Sequence, residues 1–344
     1  MSYYDGTKLL SLKDIDGKQP EIYMCTTNRT GGKTCYFSGM LVRRFKRDRR
    51  NKFMLLYRYK YELENCADKF FKDIRNIWFQ GDEMTGKSAS AGVYQKLFLN
   101  DEHCGYAVSI NQAEAIKKNS HLFSDTTAMF MDEFQSETNN YCPNEVQKFI
   151  SIHTSVARGQ GEQVRYVPVY MCANPVTLLN PYYIEMGISE RLRKDTRFLR
   201  GNGFVLEQGF VDSAAEAQAG SAFNRAFSSN SYVAYSSQGV YLNDNVAFLE
   251  RPDGNSRYLA TLRYHGRDYA IREFAQLGFL YCDDKADSSY PVRITVTTDD
   301  HAINYVMLRR SDLLLSQFRY FFEQGAFRFK NLNCKEAVLK ALSY

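Results

Sequence analysis

Proline occurs only seven times in 344 residues and tryptophan once, which excludes polyproline, collagen-like and Pro-rich disordered architectures. Long hydrophobic runs are also missing. No stretch approaches the roughly 20 apolar residues that span a bilayer, and the opening "MSYYDGTKLLSLKDIDG" carries charges where a secretory signal needs its apolar centre. The eight cysteines, at 25, 35, 66, 104, 142, 172, 282 and 334, form no C-x-x-C pair and no Cys/His group at zinc spacing. Zinc ribbons and thioredoxin-like motifs are therefore excluded, and reduced, mostly buried thiols in a cytosolic protein are predicted. The five histidines are scattered. The expectation is a soluble chain that stays inside a cell, with no membrane partner.

What is present is a chain long enough to bury a sizeable core and to form two domains. Its net charge of +5 is mild, but the charge is unevenly spread. Residues 43–52, "RRFKRDRRNK", carry seven basic groups and one acid; residues 301–344 carry seven against three; residues 101–150 carry three against eight. Such asymmetry suits a polyanionic partner. The first run also reads as a solvated helix end whose cations complement the dipole.

Two stretches compete for the phosphate-loop pattern G-x-x-x-x-G-K-S/T. "GDEMTGKS", residues 81–88, matches it in full, whereas "TNRTGGKT", residues 27–34, has Thr27 where the first glycine belongs. Context decides between them. A phosphate loop needs a buried strand before it and a helix after it, so that backbone N–H groups and a helix N-terminus face the anion. The downstream match follows Phe70, Phe71, Ile74, Ile77 and Trp78 at helical spacing, and Asp82 and Glu83 bring the wrong charge. The upstream one is entered from "EIYMC", a strand-like apolar run, and left through Tyr36, Phe37, Met40, Leu41 and Phe45, one stripe of a helix. The nucleotide site is assigned to Thr27, Asn28, Arg29, Thr30, Gly31, Gly32, Lys33 and Thr34. Residues 81–88 read as a hairpin or loop.

Strands and helices alternate through the first two hundred residues, which predicts a parallel sheet covered by helices. "KFMLLYRY", "TTAMFMDEF" and "YVPVYMCAN" read as strands. Helices are expected up to Trp78, from Pro143 to before Gly159, and from about Pro181. Residues to about 124 read as irregular. A short strand is expected near "GFVLE", and a Gly/Ala/Ser/Asn-rich linker runs from about 200 to 240. Beyond it, four strands and two helices predict a second domain of mixed type.

In "AMFMDE" a buried strand ends in Asp132 and Glu133 at the sheet's carboxyl edge, where open α/β sheets bind ligands and where the loop also opens. In the P-loop scheme Asp132 and Thr34 hold Mg²⁺, Lys33 reaches the terminal phosphates, and the second acid polarises water, as in an ATP hydrolase. Asn174 ends the next strand and reads either as a γ-phosphate sensor or as a turn residue before Pro175. Arg158, at the end of the intervening helix, reads either as a finger for a neighbouring subunit or as a dipole complement.

"TTNRTGGKT", "LLYRYKYEL", "MDEF", "YCPNEV", "CANPVTLLNPYY", "ITVTTDD" and "FFEQGAFRF" occur in an order that resembles the DNA packaging ATPases of phi-29-like bacteriophages. The resemblance is weakest at 81–125 and 200–250. It implies an additional-strand, catalytic-glutamate P-loop ATPase domain (1–200), a linker (201–240) and a ribonuclease-H-like α+β domain (241–344) that has lost its nuclease function. It further implies ATP and Mg²⁺ as cofactors and a homopentameric ring at the portal of an empty capsid. Double-stranded DNA would be the substrate and a packaging RNA a partner. The implied location is the host cytoplasm, transiently the portal vertex, and not the mature virion. Carried over residue by residue, Glu133 is the catalytic acid, Arg158 the trans-acting finger with Arg165 as rival, and Lys60 and Lys118 basic residues near the nucleotide. The opening strand of the second domain, Arg257–Tyr264, has no acid, and Asp283, Asp284, Asp299 and Asp300 cluster at strand ends. Two-metal cleavage is therefore disfavoured. A terminase with a live nuclease and a nucleotide-controlled DNA-binding or replication-loading module are the alternative readings.

Overall fold

The runs "IYMC", "FMLL", "AMFM" and "VYMC" form the middle of one sheet, because each is apolar on both faces and needs a layer of cover on either side. The computed structural model describes residues 3–138, 140–177, 180–188, 191–192, 196–228, 233, 249–308 and 312–343. The chain divides into two units. The first holds Met1–Gln135, Glu145–Pro175 and Arg193–Val240, and the second holds Ser136–Asn144, Val176–Leu192 and Tyr241–Tyr344.

The first unit is built on nine strands: β1 (Ile22–Thr26), β2 (Lys52–Tyr57), β3 (Met84–Ala89), β4 (Tyr94–Leu99), β5 (Glu102–Ser109), β6 (Thr126–Asp132), β7 (Val169–Ala173), β8 (Phe198–Gly201) and β9 (Phe204–Gln208). Their order is β3-β4-β5-β2-β6-β7-β1-β9-β8. Neighbours from β5 to β9 run parallel; the β3–β4, β4–β5 and β8–β9 pairs are antiparallel. Strand β7 thus stands between the loop-bearing β1 and the acid-bearing β6, the arrangement that gives the additional-strand ATPase class its name. The sheet is covered by the helix Lys33–Arg47, whose Phe37, Leu41, Val42 and Phe45 are buried, and by the helix Cys66–Trp78 through Phe70, Phe71 and Ile74. Phe37 lies 5.5 Å from Tyr170 and 6.5 Å from Phe130, ring to ring. Each such buried side chain contributes about 1.5–3 kcal/mol relative to exposure.

Residues 84–109 are three strands: 84–88 fall in the first arm of a hairpin, one of the two forms expected for 81–88, whereas the stretch beyond them, expected to be irregular, supplies β4 and β5. Strand β3 reads "MTGKSA", with no apolar alternation, and takes its place by pairing with β4 rather than by burying a face. The helix expected from Pro143 begins at Glu145. Strand β9 is the short strand expected near "GFVLE"; although it falls at the start of the stretch read as a linker, it pairs with β1 in the first unit. Of the rest of the expected linker, 209–228 carries the helices Asp212–Gly220 and Ala222–Ala226, while 229–232 and 234–240 lie outside the described residues.

The second unit holds five strands, β10 (Arg257–Tyr264), β11 (Arg267–Phe274), β12 (Phe279–Asp283), β13 (Arg293–Thr295) and β14 (Phe327–Phe329), in the order β13-β10-β11-β12-β14. β10, β11 and β12 are successive antiparallel strands, while β13 and β14 join parallel to β10 and β12. Helices Leu313–Glu323 and Leu332–Ser343 supply Phe318, Phe322 and Val338 to a core with Leu262, Ile271 and Phe329. This is the mixed α+β second domain that the sequence predicts.

Candidate active site

Strand β1 runs into the loop 27–32 and the loop into the helix Lys33–Arg47, so the upstream candidate has the strand-loop-helix setting an anion site needs. The turn is made at Thr30 (φ 59°) and Gly32 (φ 90°), both left-handed. Thr27 has no left-handed backbone, so a side chain is tolerated where the pattern has glycine. Its hydroxyl is buried and donates to the Asn28 carbonyl at 3.1 Å. The Asn28 side chain clasps the backbone of Val211: its Nδ2 donates to the Val211 carbonyl at 3.1 Å, and its Oδ1 accepts from the Val211 N–H at 2.9 Å. Arg29 is half-buried, and Gly31 accepts from the Tyr4 N–H at 2.7 Å.

The chemistry-bearing groups meet at the carboxyl edge. Lys33 is buried, and its ammonium donates to Asn174 Oδ1 at 2.8 Å, just beyond the end of β7. The Thr34 hydroxyl donates to Asp132 Oδ1 at 3.3 Å, and the Glu133 N–H donates to the same oxygen at 3.1 Å. Glu133 itself stands in the left-handed region at φ 55°, with its carboxylate exposed. That conformation turns the chain sharply off the strand at the second acid. Burial pushes the Asp132 carboxyl up to about 6; the Lys33 ammonium opposes the shift and the Glu133 charge adds to it. A cavity of about 310 Å³ opens here, lined among others by Thr34, Tyr57, Arg58, Glu62, Asp132 and Glu133.

Sequence reasoning missed Arg58. Its Nε donates to both oxygens of the buried Glu145, at 3.1 and 2.8 Å, and its Nη2 to the carbonyls of Glu133 (3.3 Å) and Phe134 (3.1 Å). It therefore fixes the turn that presents Glu133. The only hint was its place one residue past the end of a buried strand, inside "LLYRYKYEL". Lys60, chosen from that same motif, is exposed, does not line the cavity, and has its Nζ 3.5 Å from the Ala91 carbonyl. Lys118 ends the helix Ala113–Lys118 and is also exposed.

Arg158 is not brought to this site within its own chain. The helix Glu145–Val156 leads from the carboxyl end of β6 back to the start of β7, so residue 158 falls at the opposite, amino edge. There it is exposed, with one long contact of 3.4 Å to the Ser120 hydroxyl. Arg165 is at the same edge, but its guanidinium donates to the carbonyls of Val156 (2.7 Å) and Thr126 (3.2 Å). The downstream look-alike, 81–88, falls on a turn and on β3.

In the second unit, Asp283 is buried against Arg272 at 3.0 Å and Asp284 is paired with Lys330 at 2.6 Å. Asp300 accepts from the N–H groups of His265 (3.0 Å) and Gly266 (2.7 Å) and from the Thr297 hydroxyl (2.6 Å). Asp299 is exposed.

The DNA packaging protein of Bacillus phage phi29 is 24% identical to this chain over 284 residues, covering 81% of the chain and 80% of the relative. That of Bacillus phage B103 is 25% identical over 250 residues, 72% and 73% of the two chains. Among solved structures, the bacteriophage Phi-29 viral genome packaging motor assembly superposes with a TM-score of 0.54 at 22% identity, over 100% of this chain and 98% of the other. The Phi-28 gp11 DNA packaging motor gives 0.59 at 15% identity, over 99% and 98%. The model of the podovirus DNA encapsidation protein (Gp16) family matches residues 2–342, so a phosphate loop, an intervening strand and a paired-acid edge sit here in a chain that belongs to that family.

Proposed function

We propose that the chain is an ATP hydrolase that drives double-stranded viral DNA into a preformed capsid, working as a homopentameric ring on the portal with a packaging RNA as partner. The observation that carries the ATPase reading is the convergence of Lys33, Thr34, Asp132 and Glu133 on one edge of the sheet. Lys33 neutralises the terminal phosphates, and exchanges Asn174 for them as they enter. The loop amides of 30–34 and the helix N-terminus behind them hold the remaining phosphate oxygens. Thr34 and Asp132 offer adjacent hard oxygens of the kind that suit Mg²⁺, and would hold it. Bound there, the ion would neutralise charge that develops on the phosphates. Glu133 accepts a proton from the attacking water, and Arg58 keeps its backbone in position. Asn174, within reach of Lys33, senses whether the terminal phosphate is present. Arg158 serves the site of a neighbouring subunit.

The acids of the second unit are held in ion pairs and caps, which weighs against a reading in which it cuts nucleic acid. The deciding experiment measures steady-state ATP hydrolysis, with and without duplex DNA, for the wild type and Glu133→Gln. DNA-stimulated turnover that vanishes in the variant supports the reading. Negligible wild-type turnover under both conditions would leave a nucleotide-controlled binding module instead.

A further inference from the structure

The downstream G-x-x-x-x-G-K-S match takes no part in the nucleotide site, and it sets one lysine directly opposite another. In the β3–β4 ribbon, Lys87 stands directly opposite Lys96, Thr85 opposite Phe98, and Ala89 opposite Tyr94, so these six side chains share one face. On the other face Gly86 lies against Ala67 of the helix Cys66–Trp78, and Met84, Leu97 and Leu99 are buried. Both lysines are exposed, and the Lys87 ammonium sits 4.8 Å above the Phe98 ring. Among the described residues neither has a carboxylate within ion-pair distance. Several acids on this side of the sheet are engaged elsewhere: Asp82 by Lys46, Glu102 by Arg49, and Asp125 by Lys52 and the Tyr106 hydroxyl.

Like charges directly opposite on a sheet destabilise it. Protection of a sheet edge explains Lys87, because β3 is the outermost strand and a lysine there discourages pairing with other chains. It does not explain Lys96. Strand β4 is hydrogen-bonded on both sides, between β3 and β5, and has no edge to protect. A polyanion lying across the ribbon removes the repulsion at both positions. The face also holds no Arg, Asn or Gln, the groups that read base edges, whereas lysine meets phosphates as a point charge without reading sequence.

We propose that this face of the β3–β4 ribbon binds the phosphodiester backbone of duplex DNA as a sequence-independent grip. The proposal rests on the DNA-translocating reading above. The ribbon is placed to report to the nucleotide site: β3 runs in the same direction as β2, so its turn at 90–92 lies at the carboxyl edge. There Ala91 and Gly92 meet the Lys60 side chain, two residues from Arg58.

The test titrates the full chain, with Mg²⁺ and a non-hydrolysable ATP analogue, against short duplex DNA of random sequence and against duplex RNA over a series of salt concentrations. The variants are Lys87→Ala/Lys96→Ala and Lys87→Arg/Lys96→Arg. The alanine pair is expected to bind the analogue as the wild type does, to lose on the order of ten-fold or more in DNA affinity at low salt, and to lower the salt slope by about two. The arginine pair should restore both. Unchanged DNA affinity and slope in the alanine pair would overturn the proposal, as would a loss confined to RNA. A wild type that binds no duplex DNA at any salt concentration would instead sink the translocase reading, and this proposal with it.

Discussion

Lys33 and Asn174 are joined by a 2.8 Å hydrogen bond, and Thr34 and Asp132 by one of 3.3 Å, so each half of the site is held ready by a partner from another strand. Lys33→Ala should abolish nucleotide binding, whereas Lys87→Ala should leave it within a few-fold of wild type; a fluorescent-nucleotide titration that gave the reverse would refute the choice of loop. Glu133→Gln should retain nucleotide and Mg²⁺ yet turn over at least roughly a hundred-fold more slowly, the scale expected when a positioned base is lost. Asp132→Ala should fail earlier, through weakened Mg²⁺-dependent binding. Identical binding and identical slow turnover in the two variants would remove the distinction. Asp132 also sets a pH dependence. Its carboxyl, raised to about 6, must be ionised to ligate a cation, so Mg²⁺-dependent nucleotide affinity should be full above that value and fall as pH drops through it. Flat affinity across that window would contradict this placement. The residues legible in the sequence, Lys33, Thr34, Asp132 and Glu133, are those whose chemistry is fixed by their immediate neighbours. Arg58 and the Asn28 clasp were not, because their partners, Glu145 and Val211, are 87 and 183 residues away.

Among the elements, those legible in the sequence were strands buried on both faces and helices with one apolar stripe, since both patterns are written locally. What escaped was that β3 to β5 belong to the sheet. Strand β5 joins parallel to β2, but β4 and β3 are added to it antiparallel, and the outermost, β3, has only Met84 buried, so pairing between chain neighbours defines it. Sheet order was equally hidden: nothing near Val169–Ala173 announces that this strand inserts between β6 and β1. Strand β5 carries a testable constraint. A Cβ at Gly105 would lie 2.1 Å from the Phe53 carbonyl oxygen on β2, a backbone atom that cannot move aside without breaking the ladder. Gly105→Ala should therefore cost at least about 3 kcal/mol, at the upper end of overpacking penalties. A melting temperature equal to wild type would show that the two strands can separate more easily than their register suggests.

For the whole molecule, the decisive fact is that the two edges of one sheet carry different equipment: the phosphate loop and acids at the carboxyl edge, Arg158 at the amino edge. Charge distribution foretold less. In the run 43–52, Lys46, Arg49, Arg50 and Lys52 each hold a carboxylate, and Arg43 lies 4.9 Å over the Trp78 ring, so most of that run is spent within the fold. Arg158→Ala should bind ATP normally and hydrolyse it on the order of a thousand-fold more slowly, as trans-acting arginines do. Mixing it with Glu133→Gln should restore part of the activity, because a mixed ring pairs an intact acid with an intact donor. Two preparations that stay inactive at every ratio despite co-assembly would confine Arg158 to its own subunit. An arginine that serves a neighbour's site from the opposite edge calls for a head-to-tail interface, the type that closes into rings. The consequence is economy of fuel. If Arg158 completes a neighbour's site as proposed, a lone chain is short of that arginine, so specific activity should climb with protein concentration and level off once rings are full. Chains still awaiting assembly would idle, and the cell's ATP would be drawn down only where a motor exists to use it.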